Sequence, residues 1–268
     1  MNYQRPYSFA TPAVLNILIF NFLFFLSTLM ATQQGKDFFA LFGLPWFRSN
    51  NFHWWQLITY MFMHVNWMHI FFNMFALWMF GSLLEFVMGS RRFLIYYFVT
   101  GIGAALTQWG INFFKFYGLE LYMQQYISHP DPDLFMFIVK KYFSYIANPD
   151  FVQSLYAQMK LLPSNATIIN QSVDALQQYR ETIYNIPMVG ASGAVFGILL
   201  AYGMIFPNDR VYIYFFLPMK AKYFVILYGV LEFFLGISNR GGDNIAHFAH
   251  LGGMLFGFLF LLYWRRKR

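Results

Sequence analysis

Seven polar side chains sit inside or at the mouths of long apolar stretches: His64, His69, Asn73, Ser192, Glu232, His247 and His250. Polar groups at membrane depth are costly, so each is a functional candidate by default. Ser192 stands in Gly190-Ala191-Ser192-Gly193-Ala194-Val195-Phe196-Gly197, where small neighbours let another backbone approach and leave the hydroxyl clear. Gly193 and Gly197 make a small-xxx-small face. His250 is followed by Gly253 and Gly257 at i+3 and i+7, a second face of the same kind. Two glycine faces invite contact, and contact would bring the histidine to the serine. A hydroxyl is a poor nucleophile until a base takes its proton, so such a pairing would activate the serine, while the blander reading is that the small-residue faces only pack helices and the histidines are satisfied core or interface residues. His69 and Asn73 are i and i+4 on one helical face. Both can donate hydrogen bonds to a developing oxyanion, and the Ser192 N–H, at a helix N-terminus without an intrahelical acceptor, would be a third donor.

These residues are scattered over about 180 positions, so the elements that carry them must bring them together. The composition says what those elements are. Of 268 residues 59% are hydrophobic, 23% aromatic and 11% charged, against about 25% charged in a soluble domain. Too few charges remain to coat a soluble globule, and lipid covers much of the surface instead. The expected fold is all-α, a polytopic bundle of six transmembrane helices near 11–32, 64–84, 93–114, 188–206, 223–239 and 244–264. The first stretch is read as a retained span, being longer than the apolar part of a secretory signal and lacking a small-residue cleavage site. With the N-terminus inside, the inner segments hold ten basic residues, Arg5, Arg91, Arg92, Arg210, Lys220, Lys222 and the run Arg265-Arg266-Lys267-Arg268, against Lys36, Arg48 and Arg240 in the short outer loops. That imbalance places both termini in the cytoplasm, and the expected location is the plasma (inner) membrane. Spans two, four and six then all run inward, which sets His69, Asn73, Ser192 and His250 at similar depth near the outer face.

The net charge of +7 does not gather into a stripe, so no nucleic-acid partner is expected. Cysteine is absent, which removes disulfides, thiol nucleophiles and Cys-based zinc sites. Residues 115–187 differ in kind, with eleven charges, the patch Ser128-His129-Pro130-Asp131-Pro132-Asp133 and Asn/Gln-rich stretches. They read as an outer insertion of a single membrane domain, 1–268, with short amphipathic helices around Leu134–Ile146 and Val173–Tyr184. Asn165-Ala166-Thr167 and Asn170-Gln171-Ser172 match the glycosylation triplet, a pattern common by chance. Trp54, Trp55 and Trp67 read as part of an interfacial belt. Glu232 has no evident partner and reads as structural, whether protonated, snorkelling or paired with an inner lysine.

At this point the chain resembles the rhomboid family of intramembrane serine proteases. His64-Val65-Asn66-Trp67-Met68-His69-Ile70-Phe71-Phe72-Asn73 is similar to the family's His-x4-His-x3-Asn, Gly190-Ala191-Ser192-Gly193 to its Gly-x-Ser-Gly, and Ala249-His250-Leu251-Gly252-Gly253-Met254-Leu255-Phe256-Gly257 to its Ala-His-x-Gly-Gly-x3-Gly. The resemblance implies hydrolysis of peptide bonds in or beside transmembrane segments of membrane proteins, by a Ser-His dyad without metal or cofactor. It makes Ser192 the nucleophile, His250 the base, and Asn73, His69 and the Ser192 N–H the oxyanion hole. His64, Gly190, Gly193, Phe196, Gly253 and Gly257 become structural residues beside the site, and His247 a neighbour. The expected partners are transmembrane substrates and the bilayer, with no oligomeric state implied. Two positions depart from the family pattern: Phe196 stands where a tyrosine often lies beneath the imidazole, and Trp55-Gln56 where many bacterial members have Trp-Arg.

Other classes are weighed against this. A catalytically silent relative that binds transmembrane helices would usually lack the serine or histidine, and both are present. A metal-dependent hydrolase using His64, His69, His247 and His250 finds no His-Glu-x-x-His motif, no carboxylate adjoining the histidines and no zinc-site pattern. An aspartyl protease finds no Asp within a span. A transporter leaves the Ser and His at equal depth unexplained.

Overall fold

The computed structural model describes residues 10–213, 217–238 and 246–266. Of the basic residues used for orientation, Arg5, Arg240, Lys267 and Arg268 lie outside them. The architecture is an all-α polytopic bundle, and five helical stretches in it are long and apolar enough to cross a membrane: Pro12–Gln33, Trp67–Met88, Ser90–Ser128, Ala221–Ser238 and His247–Arg265.

Helix α1 (Pro12–Gln33) starts with Pro at its first position, where the missing N–H costs nothing. A short outer segment follows, with α2 (Phe38–Phe42), α3 (Gln56–Thr59) and a 3-10 turn at Tyr60–Phe62. Helix α4 (Trp67–Ala76) passes through a π turn at Leu77–Gly81 into α5 (Ser82–Met88), and Gly89, at φ 79°, breaks it sharply before α6. Helix α6 (Ser90–Ser128) has 39 residues, about twice what a span requires. The expected third span ended near 114, but the helix continues without a break because no Pro interrupts it until Pro130.

That continuation is the first wall of the insertion, whose other walls are α7 (Pro132–Ile138, running on as a π turn Val139–Phe143), α8 (Pro149–Leu161) and α9 (Ala166–Asn185). The two expected helices are there, the second lengthened to begin at Ala166, and α8 is an addition. Asp131, Asn148 and Asn165 cap α7, α8 and α9 through their side-chain oxygens. The first glycosylation-like triplet is thus a helix cap, and Ser172 of the second is buried against Tyr126. Leu119, Met123, Tyr126, Phe135, Phe143, Leu155 and Leu176 form a core of the insertion's own, separate from the core of the spans.

The chain returns through α10 (Ser192–Ile205), an antiparallel hairpin of β1 (Arg210–Ile213) and β2 (Leu217–Lys220), α11 (Ala221–Ser238) and α12 (His247–Arg265). The fourth expected span, 188–206, is corrected here. Only Ser192–Ile205 is helical, and 14 residues reach about 21 Å, short of the ~30 Å hydrocarbon core. The missing turn is an extended strap, in which Leu44 and Met188 exchange backbone hydrogen bonds of 2.9 and 2.8 Å and Gly190 N–H donates to Tyr60 O at 2.9 Å.

Glu85 closes the opposite end of the bundle. Its buried carboxylate accepts from Ala13 N–H (2.9 Å), Val14 N–H (2.8 Å), Ser90 Oγ (2.6 Å) and Thr11 Oγ1, capping α1 with a charge that suits a helix N-terminus. Glu85→Ala leaves these donors unpaired and is expected to lower stability by about 2–4 kcal/mol. A thermal or denaturant melt of the purified protein reads this, and an unchanged midpoint would contradict it.

Candidate active site

Ser192 is delivered by the strap. Gly190, at φ 121°, adopts a backbone that L side chains avoid, and a Cβ there would lie 2.8 Å from His69 Nε2 and 3.7 Å from Ser192 Oγ. Glycine at 190 therefore both turns the chain into α10 and leaves room for His69 beside the serine. Ser192 is the first residue of α10, where no intrahelical acceptor exists for its N–H.

His250 reaches Ser192 because α10 and α12 touch at backbone level. A Cβ on Gly253 would stand 1.9 Å from the Gly193 carbonyl oxygen. The expected meeting of glycine faces holds at this pair. It does not extend to the other pair, because α6 occupies the groove there: Gly197 meets Thr100, Gly257 meets Tyr96 and Thr100, and Tyr96 Oη donates to Gly197 O at 2.6 Å. Gly193 packs on Ala104 of α6 as well as on Ala249.

With the helices so close, His250 Nε2 lies 2.8 Å from Ser192 Oγ. Phe196 stacks on the imidazole, with centroids 4.2 Å apart and planes 6° from parallel. The ring-on-ring contact needs no hydroxyl, so phenylalanine serves as a platform at this position.

His69 and Asn73 are both brought to this end of α4. Asn66 caps the helix by accepting from His69 N–H at 2.8 Å. Asn73 is buried and gives one N–H to His69 O at 3.0 Å, which holds its amide on the histidine's face and leaves a second amide hydrogen for another acceptor. His64 is almost fully buried and packs edge-on against His69, ring centroids 4.9 Å apart. Buried against His69, the His64 ring is a packing partner of the site.

Gln56 has a structural task. It is fully buried, gives its amide N–H to Ala40 O at 2.9 Å and takes His53 N–H at 2.6 Å, while Trp55 Nε1 donates to Leu41 O at 3.1 Å. These bonds lock α2 against α3. Of the belt tryptophans, Trp54 and Trp67 are exposed and Trp55 is half-buried.

Glu232 is where the sequence reading is corrected. Its Oε2 lies 2.9 Å from His250 Nδ1 and 2.6 Å from His247 Nδ1, with all three residues buried. Among the described residues it has two hydrogen-bond partners, and both are histidines of α12. The signal in the sequence was a carboxylate at membrane depth in one span and two histidines three apart in the next. Their donor atoms lie within 4.8 Å of one another, and among the described residues this is the set suited to hold a metal ion. Two ligands of a tetrahedral zinc stand roughly 3.3 Å apart. The contacts of 2.6 and 2.9 Å are instead those of direct hydrogen bonds.

Comparison with known proteins gives the family. A family model described as Rhomboid domain matches residues 51–118 and 154–267, resuming inside the insertion and passing over 119–153. An uncharacterized mitochondrial rhomboid protein of Schizosaccharomyces pombe is 24% identical over 232 residues, 80% of this chain and 52% of that protein. The chain thus spans about half the length of that relative. Rhomboid-like protein 11, chloroplastic, of Arabidopsis thaliana is 41% identical over 56 residues, 21% of this chain and 20% of its own. Rhomboid protease GluP of Bacillus subtilis is 40% identical over 53 residues, 20% of this chain and 10% of its own. Given a family match over more than half the chain and a bundle of apolar spans, this multi-pass membrane protein belongs to the Rhomboid family.

Proposed function

We propose that the protein is an intramembrane serine endopeptidase that cleaves peptide bonds in or next to transmembrane segments of other membrane proteins. The observation that carries the reading is the 2.8 Å contact between His250 Nε2 and Ser192 Oγ, made by two helices that meet at backbone level. Family membership supports a protease of this general kind.

In the proposed reaction Ser192 Oγ attacks the scissile carbonyl carbon while His250 Nε2 takes its proton. The carbonyl oxygen becomes an oxyanion, for which the Ser192 N–H, His69 and the remaining Asn73 amide hydrogen are the proposed donors. The imidazolium then protonates the leaving amine, an acyl-enzyme remains on Ser192, and water attacks it with His250 again as base. Ser192 is half-exposed, which suits the entry of water and of an extended peptide. The proposed orientation has both termini in the cytoplasm of a plasma-membrane protein, with the site and the 115–187 insertion toward the outer face, on the balance of basic residues.

The test is cleavage of a single-span substrate by the purified, reconstituted protein with and without a strong chelator. Cleavage of equal rate in both is expected, since every step above is carried by side chains and water. Cleavage lost with the chelator and restored by added zinc would move the reading to a metal hydrolase built on Glu232, His247 and His250.

A further inference from the structure

We propose that Glu232 is a positioning residue for His250, holding the imidazole in the tautomer and orientation that a base for Ser192 needs, and that His247 holds Glu232. The proposal deepens the protease reading above and rests on it.

The argument starts from what each atom can donate. An ionised carboxylate only accepts hydrogen bonds, so an imidazole nitrogen that bonds to it carries the proton. Glu232 Oε2 is within hydrogen-bond distance of Nδ1 of both His250 (2.9 Å) and His247 (2.6 Å). With the proton on Nδ1, the lone pair of His250 lies on Nε2, the nitrogen 2.8 Å from Ser192 Oγ. The opposite tautomer would point an N–H at the hydroxyl and could not take its proton.

Orientation follows from two further contacts. Stacking on Phe196 sets the plane of the His250 ring, since the two planes differ by 6°, but stacking alone permits the half-turn about Cβ–Cγ that keeps the plane and exchanges Nδ1 with Cδ2 and Nε2 with Cε1. The Glu232 bond removes this freedom by fixing Nδ1, which leaves Nε2 aimed at Ser192. Phe196 and Glu232 thus constrain the same ring in complementary ways, one from α10 and one from α11. When His250 takes the serine proton it becomes a cation in a site of low dielectric, and a carboxylate 2.9 Å away offsets that charge.

His247 supplies the second constraint. It lies three residues before His250 on α12, so the same helical face presents both rings to Glu232. A carboxylate bonded by two rings at one oxygen cannot swing away without breaking both bonds. A merely structural role does not require this arrangement. Helix α11 is the least buried of the five spans, its buried residues are Ala221, Val225 and Glu232, and an apolar side chain at 232 would pack at lower cost than a charge.

The test compares kcat and KM for a single-span substrate with reconstituted wild type, Glu232→Gln, Glu232→Asp and His247→Ala, with a thermal melt of each. Glu232→Gln keeps the volume but can offer an N–H to the ring and so pair with the wrong tautomer. We expect its kcat to fall on the order of 10²-fold or more, by comparison with the acid of other serine proteases, with KM and melting temperature little changed. Glu232→Asp restores a carboxylate and should recover part of that loss. His247→Ala should lower kcat by less than Glu232→Gln does, because the Glu232–His250 bond survives. Unchanged kcat in Glu232→Gln, beside inactive Ser192→Ala, would overturn this inference and leave the protease reading intact. Equal loss in Gln and Asp accompanied by a lowered melting temperature would also overturn it, by making Glu232 a structural residue. Cleavage persisting in Ser192→Ala would instead overturn the protease reading itself.

Discussion

Ser192→Ala and His250→Ala are each expected to abolish cleavage, by roughly 10⁴-fold or more in kcat, with folding and substrate binding retained. Neither change touches the backbone contact that holds α10 against α12, and because His250→Ala also removes the ring's contacts with Phe196 and Glu232, a thermal melt of each variant accompanies the assay. Removing the Ser192 hydroxyl deletes one atom from a half-exposed residue, and His250→Ala leaves the backbone contact between Gly253 and Gly193 untouched. The strength of the prediction lies in its non-additivity. A nucleophile and its base act as a unit, so the double variant should be no slower than either single one. Two residues contributing independently would multiply their losses. The measurement is single-turnover cleavage by the three variants, and a double variant slower than both singles by the product of their effects would contradict the pairing.

Gly253→Ala carries the second large expected effect, and it acts through packing. An alanine Cβ would lie 1.9 Å from the Gly193 carbonyl oxygen and 2.7 Å from its carbon, positions only a shift of one helix can relieve. The obstacle is backbone, so no side-chain rotation absorbs it. Helix α12 must move away from α10, and His250, one turn before Gly253, moves with it. A displacement of about 1 Å in a catalytic contact costs on the order of 10²-fold. Stability should fall by about 1–3 kcal/mol, as for other overpacked interiors, despite alanine's better helix propensity. Gly110→Ala in α6 is the matched control, because a Cβ there meets nothing within 4 Å and should be neutral or mildly stabilising. Wild-type activity and melting temperature in Gly253→Ala would refute the close packing on which the site depends.

Much of the site could be read from the sequence because its residues follow helical periodicity. His69 and Asn73 are one turn apart, and His250 and Gly253 lie on one face, so counting puts them together before any tertiary contact is known. The spans were legible for a similar reason, length and hydropathy being local properties. Tertiary choices were not. That α6 wedges Thr100 between Gly197 and Gly257 depends on three helices meeting, and no pairwise glycine pattern distinguishes it from direct contact. The start of α10 is not legible in the sequence because Met188 to Ala191 continue the apolar run, and what pulls them into a strap is the bonding of Leu44 and Tyr60 from more than a hundred residues upstream. Lys115 ends the apolar run of α6 without ending the helix, so hydropathy alone understates its length. The partners of Glu232 sit 15 and 18 residues away on the next helix, a distance at which sequence spacing carries no information about contact.

The structure also shows what phenylalanine and glutamine do at the two positions that depart from the pattern the resemblance implied. Phe196 retains the stacked face, and Gln56 spends its amide on the backbone of Ala40 and His53, which a charged side chain in the same buried space could not do without a counter-ion.

The central claim is that Ser192 is a nucleophile because His250 activates it. Reaction of the reconstituted protein with a fluorophosphonate probe, followed by mass mapping of the adduct, addresses this without any need to know the natural substrate. The account predicts one adduct, on Ser192, formed at a rate that collapses in His250→Ala. An adduct on another residue, or labelling of Ser192 at an undiminished rate in His250→Ala, would contradict it.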